Sequence, residues 1–228
     1  MIIKLELDIK MLVGKEERLL GIQTLKNLIS NFQSIHVDIG TGDGKYIYRQ
    51  ALKNPNVYFI GIDNVKKNLE KFSAKILRKY RNNTSNVLFI ISSLEAIPYD
   101  INNIADRITI YLPWGILLEA IVRPLEEILK YVVIIAKNRS FFEFIITYSH
   151  IYEENEMRKR GLPNIELNYF CEGYQKKLRS IGLVLTKISI LSNDQLKQIE
   201  SSWAKKLAFG RPRQFFKLEG FIEKNKGV

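Results

Sequence analysis

The run Ser34-Ile-His-Val-Asp-Ile39 leads straight into Gly40-Thr41-Gly42-Asp43-Gly44, and no other feature narrows the fold of this chain as much. A short β-branched run closed by a glycine cluster reads as a buried strand. Glycines at alternate positions let the backbone turn tightly out of that strand and approach a ligand with no Cβ in the way. In doubly wound sheets, this first strand-to-helix turn is where nucleotide cofactors sit. The rest of the chain has the matching rhythm. Strands are predicted over 57–62, 86–91, 107–112 and 141–147, and helices over 46–52, 64–81 and 116–129, with Pro124 kinking or restarting the last. Residues 131–137 lean to helix. Further on, 152–160 and 170–180 read as helices, 182–191 as a strand, and 193–209 as a single helix opened by Ser192 or Asn193. A last strand, 215–222, is placed to pair antiparallel at or near an edge. The first 30 residues suggest a hairpin and then a helix over 15–29. Alternating strands and helices predict an α/β fold, a mostly parallel sheet with helices on both faces. A chain of 228 residues suits one domain. We read 1–30 as an N-terminal extension and 31–228 as the core.

Two acids give the glycine loop its chemistry. The dinucleotide fingerprint needs a glycine or alanine three positions after its second glycine, and Lys45 stands there. That disfavours nicotinamide and flavin dinucleotides. Asp63, in Gly61-Ile62-Asp63, ends the second strand about 20 residues after the loop, where an acid accepts ribose hydroxyls. Asp38 would repel a pyrophosphate but welcome a cation. S-adenosylmethionine has no phosphate and carries a sulfonium and an ammonium, so it fits this pair. The bland alternative is that these glycines merely cap a turn.

The charge is concentrated. The chain has 35 Lys and Arg against 24 Asp and Glu, a net +11. Residues 64–81 carry +6, through Lys66, Lys67, Lys71, Lys75, Arg78, Lys79 and Arg81 against Glu70, and residues 203–226 carry +5. Val65, Leu69, Phe72, Ile76 and Tyr80 make one apolar face of the first block, and Lys67, Lys71, Lys75 and Arg78 make a basic stripe on another. A stripe with so few interleaved acids suits a phosphate backbone better than plain solvation. A solvated surface helix remains the other reading. The longest apolar run, Tyr131 to Ala136, is far short of a membrane span. The first eight residues lack the apolar block of a secretory signal. A single cysteine, Cys171, and only two histidines, His36 and His150, argue against disulfides and metal. A soluble, cytoplasmic monomer is the expectation.

Two tryptophans stand apart. Leu112-Pro113-Trp114-Gly115 follows the fourth strand, where methyltransferases of exocyclic adenine amines carry Asn or Asp. That polar residue is missing here and the aromatic remains. A ring nitrogen with a free lone pair needs positioning more than deprotonation, and an indole face can stack on its base. Trp203 lies in helical register with Leu196, Ile199 and Leu207, which favours a core role, but four basic residues follow it within ten positions. Cys171 and His36 read as core groups.

Taken together, Asp-Ile-Gly-Thr-Gly-Asp-Gly at 38–44, Gly-Ile-Asp at 61–63, Leu-Pro-Trp-Gly at 112–115, Lys-Arg-Gly-Leu-Pro at 159–163 and Trp-Ala-Lys-Lys-Leu-Ala-Phe-Gly-Arg at 203–211 resemble the aminoglycoside-resistance 16S rRNA methyltransferases of the Npm and Kam group, the Npm type above all. The likeness runs from about residue 20 to about residue 222. It implies a class I fold with a Rossmann-like seven-stranded sheet containing one antiparallel strand. It implies methyl transfer from S-adenosylmethionine to N1 of adenine 1408 in the assembled 30S subunit. By the same resemblance, Asp38, Gly40, Gly42 and Asp63 hold the cofactor's methionine and ribose. Ser93, Leu94, Glu95 and Leu112 line its pocket, and Ser201 helps to close it. Trp114 and Trp203 sandwich the flipped adenine, while Lys75, Arg78, Lys79, Lys206, Arg211 and Arg213 meet rRNA phosphates. The chain departs from the family at Ala74, Ile116, Lys206 and Pro212, which touches docking more than chemistry. Two rivals remain open: the same chemistry on a tRNA base or another rRNA position, and a ribosome-binding protein without turnover.

Overall fold

The computed structural model describes residues 8–80, 86–211 and 213–224. Arg81 and Pro212, noted above, and Lys226 at the end of the second basic block lie outside that range. A nine-stranded sheet runs β2-β1-β5-β4-β3-β6-β7-β9-β8. Its centre is β3 (Ser34–Ile39), paired in parallel with β4 (Val57–Asp63) and β6 (Ala105–Tyr111). Outward lie β5 (Val87–Ile91) on one side and β7 (Ala136–Ile146) on the other, both parallel. β9 (Phe215–Ile222) inserts antiparallel between β7 and the edge strand β8 (Leu183–Leu191). These seven strands, one of them antiparallel, are the class I methyltransferase sheet. The hairpin β1 (Asp8–Val13) and β2 (Glu16–Gly21) extends the far edge by pairing with β5.

Seven helices follow from the periodicity: α1 (Ile22–Ile29), α2 (Lys45–Lys53), α3 (Lys66–Tyr80), α4 (Ile116–Val122), α5 (Glu126–Ile135), α6 (His150–Arg160) and α7 (Glu172–Ile181). Pro124 does restart the helix, between α4 and α5. The helix expected over 15–29 begins only at Ile22, because Glu16–Gly21 pairs with β1 around a turn where Gly14 takes φ +67°. The helix expected over 193–209 is also two pieces, α8 (Asn193–Gln198) and α9 (Ser202–Ala208). Ile199 leaves helical geometry at ψ 114°, and Ser201 caps the new start by accepting the N–H groups of Trp203 and Ala204.

Alternation along β3 sorts its side chains. Ile35, Val37 and Ile39 face the larger core with α1, α4, α5 and α7. On the other face, Phe59 and Phe89 pack with Ile47 of α2 and with Leu69 and Phe72 of α3. Burying each such side chain stabilises the fold by about 1.5–3 kcal/mol. A third cluster matters most for function. Leu196, Ala204, Leu207 and Ala208 pack on Leu112, Ile145 and Phe215, holding α8 and α9 across the carboxyl ends of β6 and β7.

Candidate active site

The glycine loop leaves β3 with Gly40, Gly42 and Gly44 all left-handed, at φ +70°, +61° and +73°. A Cβ at Gly44 would lie 2.4 Å from the buried ring of Phe89, whereas one at Gly42 would meet open space. The loop is therefore packed tight at one end and bare at the other. Gly42 N–H donates to Asp63 Oδ2 at 2.8 Å, and Val65 N–H donates to Asp63 Oδ1 at 2.9 Å. Both oxygens are thus fixed by backbone. Burial pushes the Asp63 carboxyl up, and these N–H bonds pull it back.

Asp38 sits deeper. It is 3% exposed, and Thr109 Oγ1 donates to its Oδ1 at 2.5 Å. Burial pushes it up to about 7, against the pull of the Thr109 bond and the nearby Thr41 hydroxyl, whose own geometry completes no bond. Since Thr109 gives its proton to Asp38, His36 Nε2, 3.0 Å away, must be the donor to Thr109. Burial, with Arg107 nearby, depresses His36 to about 3, so it is a neutral core residue.

A cavity of about 650 Å³ opens at the carboxyl ends of the central strands. It gathers Gly40, Gly42, Asp63, Ser93, Leu94, Glu95, Leu112, Trp114, Ser201 and Trp203 from five separate stretches of chain. Asp38 does not line it and lies two residues behind Gly40. Leu112 adopts φ +55° while its N–H donates to Ile145 O at 2.7 Å. That strained turn, unusual for a branched residue, redirects the chain so that Pro113 and Trp114 enter the cavity wall. Just before it, Tyr111 donates its hydroxyl to Glu143, which also holds Arg107 at 3.0 Å and Lys217 at 3.2 Å. Trp114 and Trp203 are 40% and 37% exposed. The core reading of Trp203 fails because α9 starts afresh at Ser202 and buries Ala204 and Leu207 instead. Sequence reasoning missed Asn64, Val65 and Asn68, which line the cavity beside Asp63, as well as Tyr111, Asp43 and Ser202. Asn68, five positions past Asp63 in the first turn of the basic helix, was the one legible signal among them.

The basic residues divide. Lys75 and Arg78 are exposed on α3, where Leu69, Phe72 and Ile76 are buried, while Val65 precedes the helix and is exposed. Lys79 is in α3, its side chain outside the described set. Lys206 lines the cavity with its Nζ 4.9 Å over the Trp203 ring. Arg211 is exposed and lies 4.8 Å over Tyr152. Arg213 departs from the expectation of an open phosphate contact. Its side chain is 7% exposed and pairs with Glu153 Oε1 at 2.9 Å, bracing α6 against the segment before β9. Cys171 also departs from its core reading: it is exposed, just ahead of α7. Among the described residues, no His, Cys, Asp and Glu cluster could hold a metal, and no helix is long and apolar enough to cross a membrane.

The donor set fits S-adenosylmethionine: a bare loop, a fixed acid at the ribose position and a buried acid behind it. Comparison with known proteins agrees. The model of the NpmA family, described as 16S rRNA (adenine(1408)-N(1))-methyltransferase, matches residues 10–222. An Escherichia coli protein of that description is 44% identical over 203 residues, covering 88% of this chain and 93% of the relative. A solved structure described as an antibiotic related methyltransferase is 39% identical, with a TM-score of 0.83 over 93% of this chain and 100% of the other. A mutant of the Catenulisporales acidiphilia enzyme, solved with its cosubstrate SAM, is 24% identical with a TM-score of 0.85 over 96% and 99% of the chains, and so supports the fold. With nearly the whole chain matched and every motif of the cavity in place, this protein belongs to the NpmA family of 16S rRNA (adenine(1408)-N(1))-methyltransferases.

Proposed function

We propose that the protein transfers a methyl group from S-adenosylmethionine to N1 of adenine 1408 of 16S rRNA, that its substrate is the assembled 30S subunit in the cytoplasm, and that it thereby confers aminoglycoside resistance. The observation that carries this reading is one cavity holding both a cofactor cradle and two half-exposed tryptophans. When bound, S-adenosylmethionine supplies an electrophilic methyl group. Asp63 would take the ribose hydroxyls, Asp38 would face the cationic end through the loop, and Ser93, Leu94 and Glu95 would border the adenine.

The chain's own contribution is placement. Extruding a base costs a few kcal/mol, and two indole faces return about 1–3 kcal/mol each by stacking. Trp114 and Trp203 would hold the adenine so that N1 lies in line with the methyl group, and such alignment supplies most of the acceleration. N1 is unprotonated at neutral pH, so no residue need act as a base. As positive charge develops on the adenine, the electron-rich indole faces favour it. Lys206, already over the Trp203 ring, must yield that face to the base and is then free to meet a phosphate. Lys75 and Arg78 on α3 and Arg211 beyond α9 would meet phosphates of the folded particle, Lys79 with them, and Arg213 would do so once released from Glu153.

Transfer of tritiated methyl groups to assembled 30S subunits and to naked 16S rRNA tests the substrate. The subunit should be labelled near one methyl per particle and the naked RNA far less. Equal labelling would refute recognition of the folded particle.

A further inference from the structure

One hydrogen bond joins the cofactor loop to the helix that carries Trp203, across 159 positions of sequence. Ser202, the first residue of α9, donates its hydroxyl to Asp43 Oδ2 at 2.6 Å. The other oxygen of Asp43 accepts the N–H of Lys45 at 3.2 Å, so the carboxylate is held from both sides. Asp43 lies between Gly42 and Gly44, and Ser202 lies between the cap residue Ser201 and Trp203. All but the buried Gly44 and the loop's neighbour Lys45 line the one cavity. Its two working halves therefore meet along this bond. A second tie runs beside it, from Lys53 at the end of α2 to Glu200 Oε2 at 2.5 Å. That pair is exposed and weak on its own.

We propose that Ser202 is a positioning residue that couples filling of the cofactor cradle to the placing of Trp203, acting through Asp43. The inference deepens the functional reading above and rests on it. The mechanical argument is local. The buried residues of α9 are Ala204, Leu207 and Ala208, so packing anchors the helix from Ala204 onward. Ser202 and Trp203, ahead of Ala204 and only partly buried or exposed, follow the non-helical corner 199–201 and are tied down by the Ser201 cap and the Asp43 bond. On the other side, Asp43 rides on a loop of left-handed glycines whose bare end faces the ligand. A ligand that orders this loop orders Asp43, and Asp43 then fixes the start of α9. Such coupling is reciprocal, so a base between the tryptophans tightens the cofactor by the factor with which the cofactor tightens the base. A hydrogen bond to a carboxylate sets that factor at about tenfold.

The chain has two tryptophans, so Trp114→Phe leaves Trp203 as its only indole emitter. In that background, S-adenosylhomocysteine should protect Trp203 from acrylamide quenching. Adding Ser202→Ala should remove most of the protection while changing S-adenosylhomocysteine affinity by less than about threefold. Ser202→Thr, which keeps the hydroxyl, should restore it. With Trp114 native, single-turnover methylation of 30S subunits at saturating cofactor should fall about tenfold in Ser202→Ala and recover in Ser202→Thr. Protection that persists in Ser202→Ala would mean that the ligand shields Trp203 directly, and the coupling would be overturned. Equal loss in the threonine variant would overturn it too. Failure of the functional reading looks different: the unaltered protein would then transfer no methyl group, and the quenching result would still decide the coupling.

Discussion

Alanine at Gly42 and alanine at Gly44 should separate binding from folding within one loop. Both positions are left-handed, at φ +61° and +73°, so each substitution carries backbone strain of roughly 1–2 kcal/mol. At Gly44 the new methyl would lie 2.4 Å from the ring of Phe89, which is 1% exposed and cannot swing away. Overpacking of that kind adds roughly 1–3 kcal/mol, for a total of about 2–5 kcal/mol. In a chain of this size each kcal/mol moves the melting temperature by about 2–4 °C, so Gly44→Ala should lower it by about 4–20 °C. At Gly42 nothing lies within 4 Å of the new methyl, and the expected loss is only about 2–8 °C. Yet Gly42 lines the cavity, and its methyl would occupy the space where the cofactor must approach the backbone. Calorimetry on Gly42→Ala should show S-adenosylmethionine binding weakened about tenfold or more. Unchanged affinity in a folded Gly42→Ala protein would refute the loop as the cofactor cradle. A Gly44→Ala protein as stable as the original would refute the Phe89 contact.

Other consequences follow from the same geometry. Trp114→Ala and Trp203→Ala should each cost about 1–3 kcal/mol of base stacking, read as slower methylation with nearly unchanged 30S docking; since both rings are over a third exposed, a melting shift of the size expected for a buried aromatic would contradict their placement. Asp38, raised to about 7, keeps its proton in the folded protein where an ordinary carboxyl has lost it, and a cationic ligand favours the carboxylate. S-adenosylmethionine affinity should therefore rise about tenfold from pH 6 to pH 8 and level off above, becoming flat in Asp38→Asn; a flat profile in the original protein would refute the assignment. Lys75→Glu and Arg211→Glu should depress 30S methylation without touching cofactor binding, each lowering the salt slope of docking by about one.

The sequence carried the sheet better than the site. β3 and β9 fall on the expected residues because β-branched and aromatic runs bounded by breakers have one plausible pairing each. The glycine loop and the place of Asp63 beside it were legible because a left-handed turn and the end of a short β-branched strand are local demands on residue type. The break between α8 and α9 was harder to see, since Ile199-Glu200-Ser201 continues a helical pattern and only the cap at Ser201 betrays a new start. That break decides whether Trp203 is buried or faces the cavity. Partners distant in sequence were invisible altogether. Glu153 takes Arg213 and Asp43 takes Ser202, contacts that no periodicity reports.

The central claim is most directly tested by reverse transcription across the decoding region of 30S subunits incubated with the protein and S-adenosylmethionine. A methyl group on N1 blocks Watson–Crick pairing and halts extension. The account predicts one new stop, immediately before adenine 1408, dependent on both protein and cofactor. Full-length extension, or a stop at any other nucleotide, would contradict it.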